Sequence, residues 1–535
     1  MKIPVAMATQ HPDSASCKVT VSEEPNEAVE CCRRDGLGCD EYLVDYMGKL
    51  TPYHQIGIII KKMIEETDLV PGEDVYITPR MVSSFREEPF RQLMTTLAVV
   101  EGIYECYKRF GVQGIHYIVQ AFTSTLEDLR LCKERSESIL RLVGKHLKMD
   151  TADMGFRMLP LFGGLAEQLS IDRYLPNLIE TLQVNDLIRI FIGKSETAML
   201  YGHMASVLSC KLAISESYRV AQRYGVDLYP ILGVGALPFR GHLTLENVEN
   251  VLREYKGART YTIQSGLRYD HGADKTKRLI ERLKSGVNLK PLEYSEEDVK
   301  KMKRSIFIFA KNYLIELSEV QDIVRKISDY IPKQRERLLD FEEVSYYREL
   351  RNVKSILSLC EDKTLRRHLV DFMEKAFKKP PRWFKFVASL YTCGLPPEFL
   401  GTGKALKEVK ETLGSGWVDR LVEDVYPSIR EDLKFASRFL ITDPESNILL
   451  TDKILEDIEL LKENFEFEEL DESYRILSSV TSSYLKEAIY GKPTERQRLA
   501  ILISEGEIAE YLDGSLKDNL SRMILDLGKI RKSLA

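Results

Sequence analysis

Four cationic side chains, Arg80, Lys194, Arg240 and Arg268, each stand just after a short β-branched or apolar run. The segments are Thr78-Pro79-Arg80, Gly193-Lys194-Ser195-Glu196, Gly233 to His242 and Gln264 to Gly272. Guanidinium and ammonium groups that converge make an anion site, because arginine binds carboxylate or phosphate through paired hydrogen bonds. One arginine alone is more often the partner of a neighbouring carboxylate or a helix cap. Four cations at equivalent places, in a chain of net charge −6, favour a shared pocket instead. Gly233 and Gly235 add room for close backbone approach, although Gly-x-Gly by itself is weak evidence.

Ala8-Thr9-Gln10-His11-Pro12-Asp13 is the second chemical candidate. A residue before proline is held extended, and the His11 imidazole is suited to proton transfer near neutral pH. A lone histidine is more often structural. His242 and His271, each just past one of the arginines, come next, and Gly48 to Gln55 is a third dense loop. The chain has no Walker A sequence, dinucleotide fingerprint, His-x-x-x-His pair or nucleophile elbow, which argues against P-loop and serine-hydrolase chemistry.

Something must hold these residues at one end of a scaffold. Up to about residue 294, short runs alternate with amphipathic stretches such as Phe90 to Phe110 and Thr197 to Tyr224. The runs are Glu41–Tyr46, Asp74–Thr78, Ile115–Phe122, Phe156–Phe162, Leu187–Ile192, Leu228–Leu232 and Thr260–Ile263. Alternating strand and helix predicts parallel strands with right-handed crossovers. Seven such units predict an α/β fold, a (β/α)8 TIM-type barrel whose eighth strand the pattern leaves unplaced, with an open doubly wound sheet as the alternative. In a barrel, chemistry gathers where strands end, which is where the cations stand.

Residues 295–535 read as almost wholly helical and charged, broken at Pro380-Pro381 and Pro396-Pro397. We expect residues 1–294 to form the barrel with an N-terminal active-site arm. Residues 295–535 are expected to pack on it, complete the site and supply an oligomer interface. A tethered helical domain is the alternative, weakened by the lack of a linker-like stretch.

The 535 residues carry 76 Lys+Arg against 82 Asp+Glu, a balance that suits neither a nucleic-acid nor a membrane-surface binder. No run approaches the roughly 18 apolar residues of a membrane span. The start lacks the apolar core of a signal peptide. Nine scattered cysteines complete no zinc pattern and suit reduced thiols, so a cytoplasmic protein is expected.

Together these segments resemble the archaeal-type phosphoenolpyruvate carboxylases. The resemblance lies in Thr9 to Asp13, Gly48 to Gln55, Thr78-Pro79-Arg80, Phe90 to Met94, Leu237 to His242, Gln264 to Gly272, Pro381-Arg382 and Gly394 to Gly401, in order along the chain. It implies a barrel wrapped in helices, a homotetramer, and oxaloacetate and phosphate made from phosphoenolpyruvate and bicarbonate with Mg²⁺ or Mn²⁺. It further implies that His11 assists decomposition of carboxyphosphate, and that Arg240 and Arg268 hold the transferring phosphate and the enolate. Arg80, Lys194, His242 and Arg382 would bind substrate, and Glu196 the metal. The chain departs from the family at a metal position. After Pro160-Leu161-Phe162 a glutamate is usual and Gly163 stands here, while Lys194-Ser195-Glu196 replaces an Arg-Ser-Asp step. Met47 and Ser124 stand at strand ends that tend to be acidic, and Glu167, a helical turn from Gly163, is a conceivable substitute ligand. The departures keep a second reading open, a non-carboxylating paralogue that binds a phosphorylated or carboxylate metabolite.

Overall fold

The computed structural model describes residues 2–47, 49–85, 87–120, 126–336, 353–376, 381–491 and 515–535. Eight parallel strands close into a barrel in chain order. They are β1 Ala6–Thr9, β2 Glu41–Asp45, β3 Tyr76–Met81, β4 Tyr117–Gln120, β5 Arg157–Phe162, β6 Leu187–Gly193, β7 Asp227–Gly233 and β8 Thr260–Ile263. The expected (β/α)8 barrel is therefore present, and the missing strand is the first in the chain. Its sequence, Ala-Met-Ala-Thr, has one β-branched side chain and no aromatic, so it lacks the propensity signal of the equally short β8, Thr-Tyr-Thr-Ile. Neighbours hold it on both sides: Met7 lies opposite Glu41 of β2 and opposite Thr262 of β8. Phe122, at the end of one sequence-predicted run, Gly48, Ser124 and Pro380 lie outside the described residues.

Strand alternation sends every second side chain into the barrel. Met7, Leu43, Tyr76, Tyr117, Val119, Leu159, Leu161, Phe191 and Ile231 pack together there. Among them sits a buried ion pair. Arg189 donates to both oxygens of Glu41 at 3.0 and 2.7 Å and lies 4.6 Å from the Tyr117 ring, while Thr78 Oγ1 donates to Glu41 at 2.5 Å. Removing one member of such a pair strands a desolvated charge. Arg189→Met is thus expected to cost about 3–5 kcal/mol in urea unfolding, and Arg189→Met with Glu41→Leu to regain most of it. Equal destabilisation by the single and double variants would mean that packing volume, not charge, sets the loss.

The later helices lie against the barrel. Glu296–Ser328 starts at a capping box between Ser295 and Asp298, and its Tyr313 hydroxyl donates to the Met199 carbonyl at 2.6 Å. The end of the chain pins the segment after β1, since Leu534 N–H donates to the Asp13 carbonyl at 2.8 Å. Asp270 accepts from Ser14 and from the Ala15 and Ser16 amides at 2.8–2.9 Å, so this segment is tied down from two directions. Among the described residues no helix is long and apolar enough to cross a membrane. All nine cysteines are free thiols.

Candidate active site

β1 delivers His11 to the barrel mouth two residues past its end, on the inward side of the alternation that carries Met7 and Thr9. The His11 Nδ1 is 2.9 Å from Thr9 Oγ1. Next along the rim, Asp45 of β2 lies opposite Arg80 of β3. Arg80 grips it bidentately, Nε to Oδ1 at 2.8 Å and Nη2 to Oδ2 at 2.5 Å, and Lys49 also pairs with Oδ2. Burial alone would raise the Asp45 pKa, but Arg80 and Lys49 outweigh it and hold the carboxyl far below its usual range. Arg91 fixes the loop by donating to the carbonyls of Tyr46 and Lys49.

The β7 loop brings the fourth group. Arg240 ends a tight turn, Pro238–Arg240, followed by Gly241 at φ 108°, a backbone that only glycine takes without strain. Its Nε donates to Ser195 Oγ at 2.6 Å, its Nη1 lies 3.7 Å from Asp13 Oδ2, and its Cζ lies 3.7 Å from the centre of the Trp383 ring. Trp383 also reaches His11, with ring centres 5.9 Å apart. His11 thus sits among Arg240, Arg80 and Lys49. Burial first, then these three cations, lower its pKa well below the usual 6.5, so the imidazole is neutral at pH 7.

His11, Arg80 and Arg240 stand on this rim, whereas Lys194, His242 and Arg268 are engaged by other partners. Lys194 is fully buried beneath the β7 loop and donates to the Phe239 carbonyl at 2.8 Å, and burial lowers its pKa to about 8. His242 turns away to Asp432, with Nδ1 2.6 Å from Oδ1, in a buried cluster with His203 and Tyr426. Arg268 points behind β1: Nη1 lies 2.9 Å from Cys31 Sγ, Nη2 donates to the Thr9 carbonyl at 2.7 Å, and Glu27 is 3.1 Å away. Arg382 precedes the helix Trp383–Thr392, half-buried, with its guanidinium 5.1 Å from the Phe384 ring. Glu196 lies in the first turn of Ser195–Tyr201, directly after β6.

Asp45, Lys49, Asp13 and Trp383 were not singled out from sequence. Asp45 ends a recognisable strand and Lys49 lies in a dense loop, so position alone pointed to both. Trp383 follows Arg382 directly and gave no signal beyond being one of two tryptophans. Glu398, in the Gly394–Gly401 segment, accepts the Phe239 N–H at 2.6 Å, and burial raises its pKa to about 7.

Among the described residues the side chains do not build a resident site for Mg²⁺ or Mn²⁺. Gly163 contributes none, and Glu167 turns back to its own helix start, where Oε2 accepts the Gly163 and Gly164 amides at 3.1 and 3.2 Å. Asp45 is neutralised by two cations. Among the described residues no group of three or more His, Cys, Asp or Glu side chains is placed to hold a metal ion. What the mouth does offer is a cationic, partly desolvated bay with a neutral imidazole at its edge. That suits a polyanion whose charge shifts during reaction.

Comparison with known proteins places the chain among relatives. The family model described as phosphoenolpyruvate carboxylase matches residues 3–535. A phosphoenolpyruvate carboxylase of Methanosarcina acetivorans is 35% identical over 99% of this chain and 98% of its own length. Those of Methanopyrus kandleri and Pyrobaculum islandicum are 35% and 30% identical, over 84% and 82% of this chain and 85% and 87% of their own lengths. With a closed barrel, a cationic mouth and a match along nearly its whole length, this chain belongs to the phosphoenolpyruvate carboxylase family.

Proposed function

We propose that the protein is a phosphoenolpyruvate carboxylase, a carbon–carbon lyase that makes oxaloacetate and phosphate from phosphoenolpyruvate and bicarbonate. The observation that carries the reading is that Arg240 and His11 lie against one indole at the strand ends, with Arg80 and Lys49 paired to Asp45 on the same rim. Bicarbonate oxygen attacks phosphorus, and the pyruvate enolate leaves as carboxyphosphate forms. Arg240 and Arg80 hold the anionic groups and oppose charge that moves from the phosphoryl group to the enolate oxygen. His11 Nδ1 meets Thr9 Oγ1 at 2.9 Å; in the tautomer that donates there, Nε2 takes the carboxyl proton of carboxyphosphate and returns it to the released phosphate. Phosphate and CO₂ separate, and the enolate carbon captures the CO₂. Lys194 and His242 act by holding the Arg240 loop, Arg268 by holding the Thr9 carbonyl, and Arg382 by adding positive charge at the rim.

We further propose a cytoplasmic homotetramer in which residues 295–535 complete the site. Phe90, Leu93 and Leu97 are exposed along one face of the helix Pro89–Phe110, which supports an interface between copies there. Oxaloacetate formation coupled to malate dehydrogenase tests the activity. Bicarbonate-dependent NADH oxidation is expected, and phosphoenolpyruvate binding without oxaloacetate would favour the metabolite-binding paralogue.

The metal position gives its own test. Few protein ligands are needed when substrate phosphate supplies oxygens, so Mn²⁺ is expected to bind the free protein weakly and to bind tightly only with phosphoenolpyruvate present. Gly163→Glu should raise affinity for the free ion. Tight Mn²⁺ binding by the ligand-free wild type, abolished by Glu167→Gln, would instead place a site at Glu167.

A further inference from the structure

We infer that Trp383 is a positioning residue of the anion pocket, its indole holding the Arg240 guanidinium and the His11 ring in register. The inference rests on the carboxylase reading above and adds a residue to it. Trp383 opens the helix Trp383–Thr392, is 5% exposed, and is braced edge-on by Phe384 at 5.9 Å. The helix is itself fixed to the later chain, where Ser478 Oγ donates to the Thr392 carbonyl at 3.0 Å.

Arg240 is held on separate sides by different elements. Ser195 takes Nε at 2.6 Å, Asp13 lies 3.7 Å from Nη1, and the indole covers a face with Cζ 3.7 Å from its centre. Partners at its edge alone leave a guanidinium some freedom to tilt about its last torsions. A π face stacked on the plane fixes its tilt and adds attraction that strengthens as water is excluded. The same indole lies 5.9 Å from the imidazole at 54°, so one ring sets the spacing between the phosphate-binding cation and the proton acceptor. A bidentate clamp loses most of its value if its plane is misaligned, and small displacements of groups that orient a reaction are costly. Trp383 works through the two side chains it contacts, Arg240 and His11.

The test compares Trp383→Phe, which keeps an aromatic face, with Trp383→Leu, which removes it. With Leu, the KM for phosphoenolpyruvate should rise by about thirtyfold, the factor that a desolvated cation–π contact represents. Pyruvate should replace part of the oxaloacetate, as carboxyphosphate hydrolyses to bicarbonate and phosphate and the enolate takes a proton. The Phe variant should stay within about threefold of wild type. Urea midpoints of both variants check folding. Wild-type KM and product ratio in a folded Leu variant would overturn the inference, as would equal damage in both variants.

A second measurement keeps Trp383 in place. Trp417, whose Nε1 donates to Ser305 Oγ at 2.9 Å, lies outside the site, so Trp417→Phe leaves Trp383 as the sole indole. Inorganic phosphate should then change the emission of Trp383, and Arg240→Ala should remove the change. No change at saturating phosphate would overturn the inference even if Trp383→Leu failed to fold. Because this reading needs no turnover, a protein that made no oxaloacetate would sink the carboxylase reading alone.

Discussion

Arg240→Ala should lower kcat/KM for phosphoenolpyruvate by about 10²- to 10⁴-fold, because two charged hydrogen bonds at about 1.5–3 kcal/mol each are lost. The side chain is 1% exposed and held by Ser195, Asp13 and Trp383, so its position is fixed before an anion arrives. Its removal also leaves the buried Asp13 carboxylate without the cation 3.7 Å away, which should turn the pocket from attracting anions toward repelling them. Arg240→Lys should recover part of the loss, since charge returns but the planar fork does not. Calorimetric titration with phosphoenolpyruvate separates binding from turnover. Unchanged affinity in a folded Arg240→Ala protein would remove the anion pocket from the account.

His11→Asn should have a comparable effect on a different step. General acid–base groups contribute about 10²–10⁴-fold, so oxaloacetate output should fall by that order while phosphoenolpyruvate affinity stays within about threefold. Phosphate release should outlast carboxylation, because attack on phosphorus does not require the imidazole. The pH dependence follows from sign. The neutral form is the active one, and burial with three nearby cations lowers its pKa, so protonation removes activity only below the usual 6.5. Wild-type oxaloacetate formation should therefore hold through pH 7 and fall at more acid pH, and His11→Asn should lack that limb. Parallel loss of binding and turnover would mark His11 as a structural anchor of the segment after β1.

The sequence made the barrel legible because seven strands lie in runs rich in branched and aromatic residues, separated by amphipathic helices. β1 was not, because four residues of Ala-Met-Ala-Thr carry no pattern and are strand only through partners at both ends of the chain's barrel region. Strand ends likewise gave the correct rim but not the direction of long side chains. Lys194 and Arg240 stand at neighbouring strand ends, yet one reaches under the β7 loop to a main-chain carbonyl while the other stacks on an indole. Arg268 follows β8 in a wide turn that sends it behind β1 to Glu27, whose pKa it helps to lower to about 2 against the effect of burial. Trp383 was hidden for another reason. Its importance comes from a contact between residues 143 positions apart, which no local pattern encodes.

In the proposed reaction bicarbonate, not CO₂ or water, attacks phosphorus, and oxygen-18 bicarbonate tests this most directly. At early times one labelled oxygen should appear in the released phosphate and the other two in the new carboxylate of oxaloacetate. Unlabelled phosphate accompanying oxaloacetate, or phosphate released with no oxaloacetate at all, would contradict it.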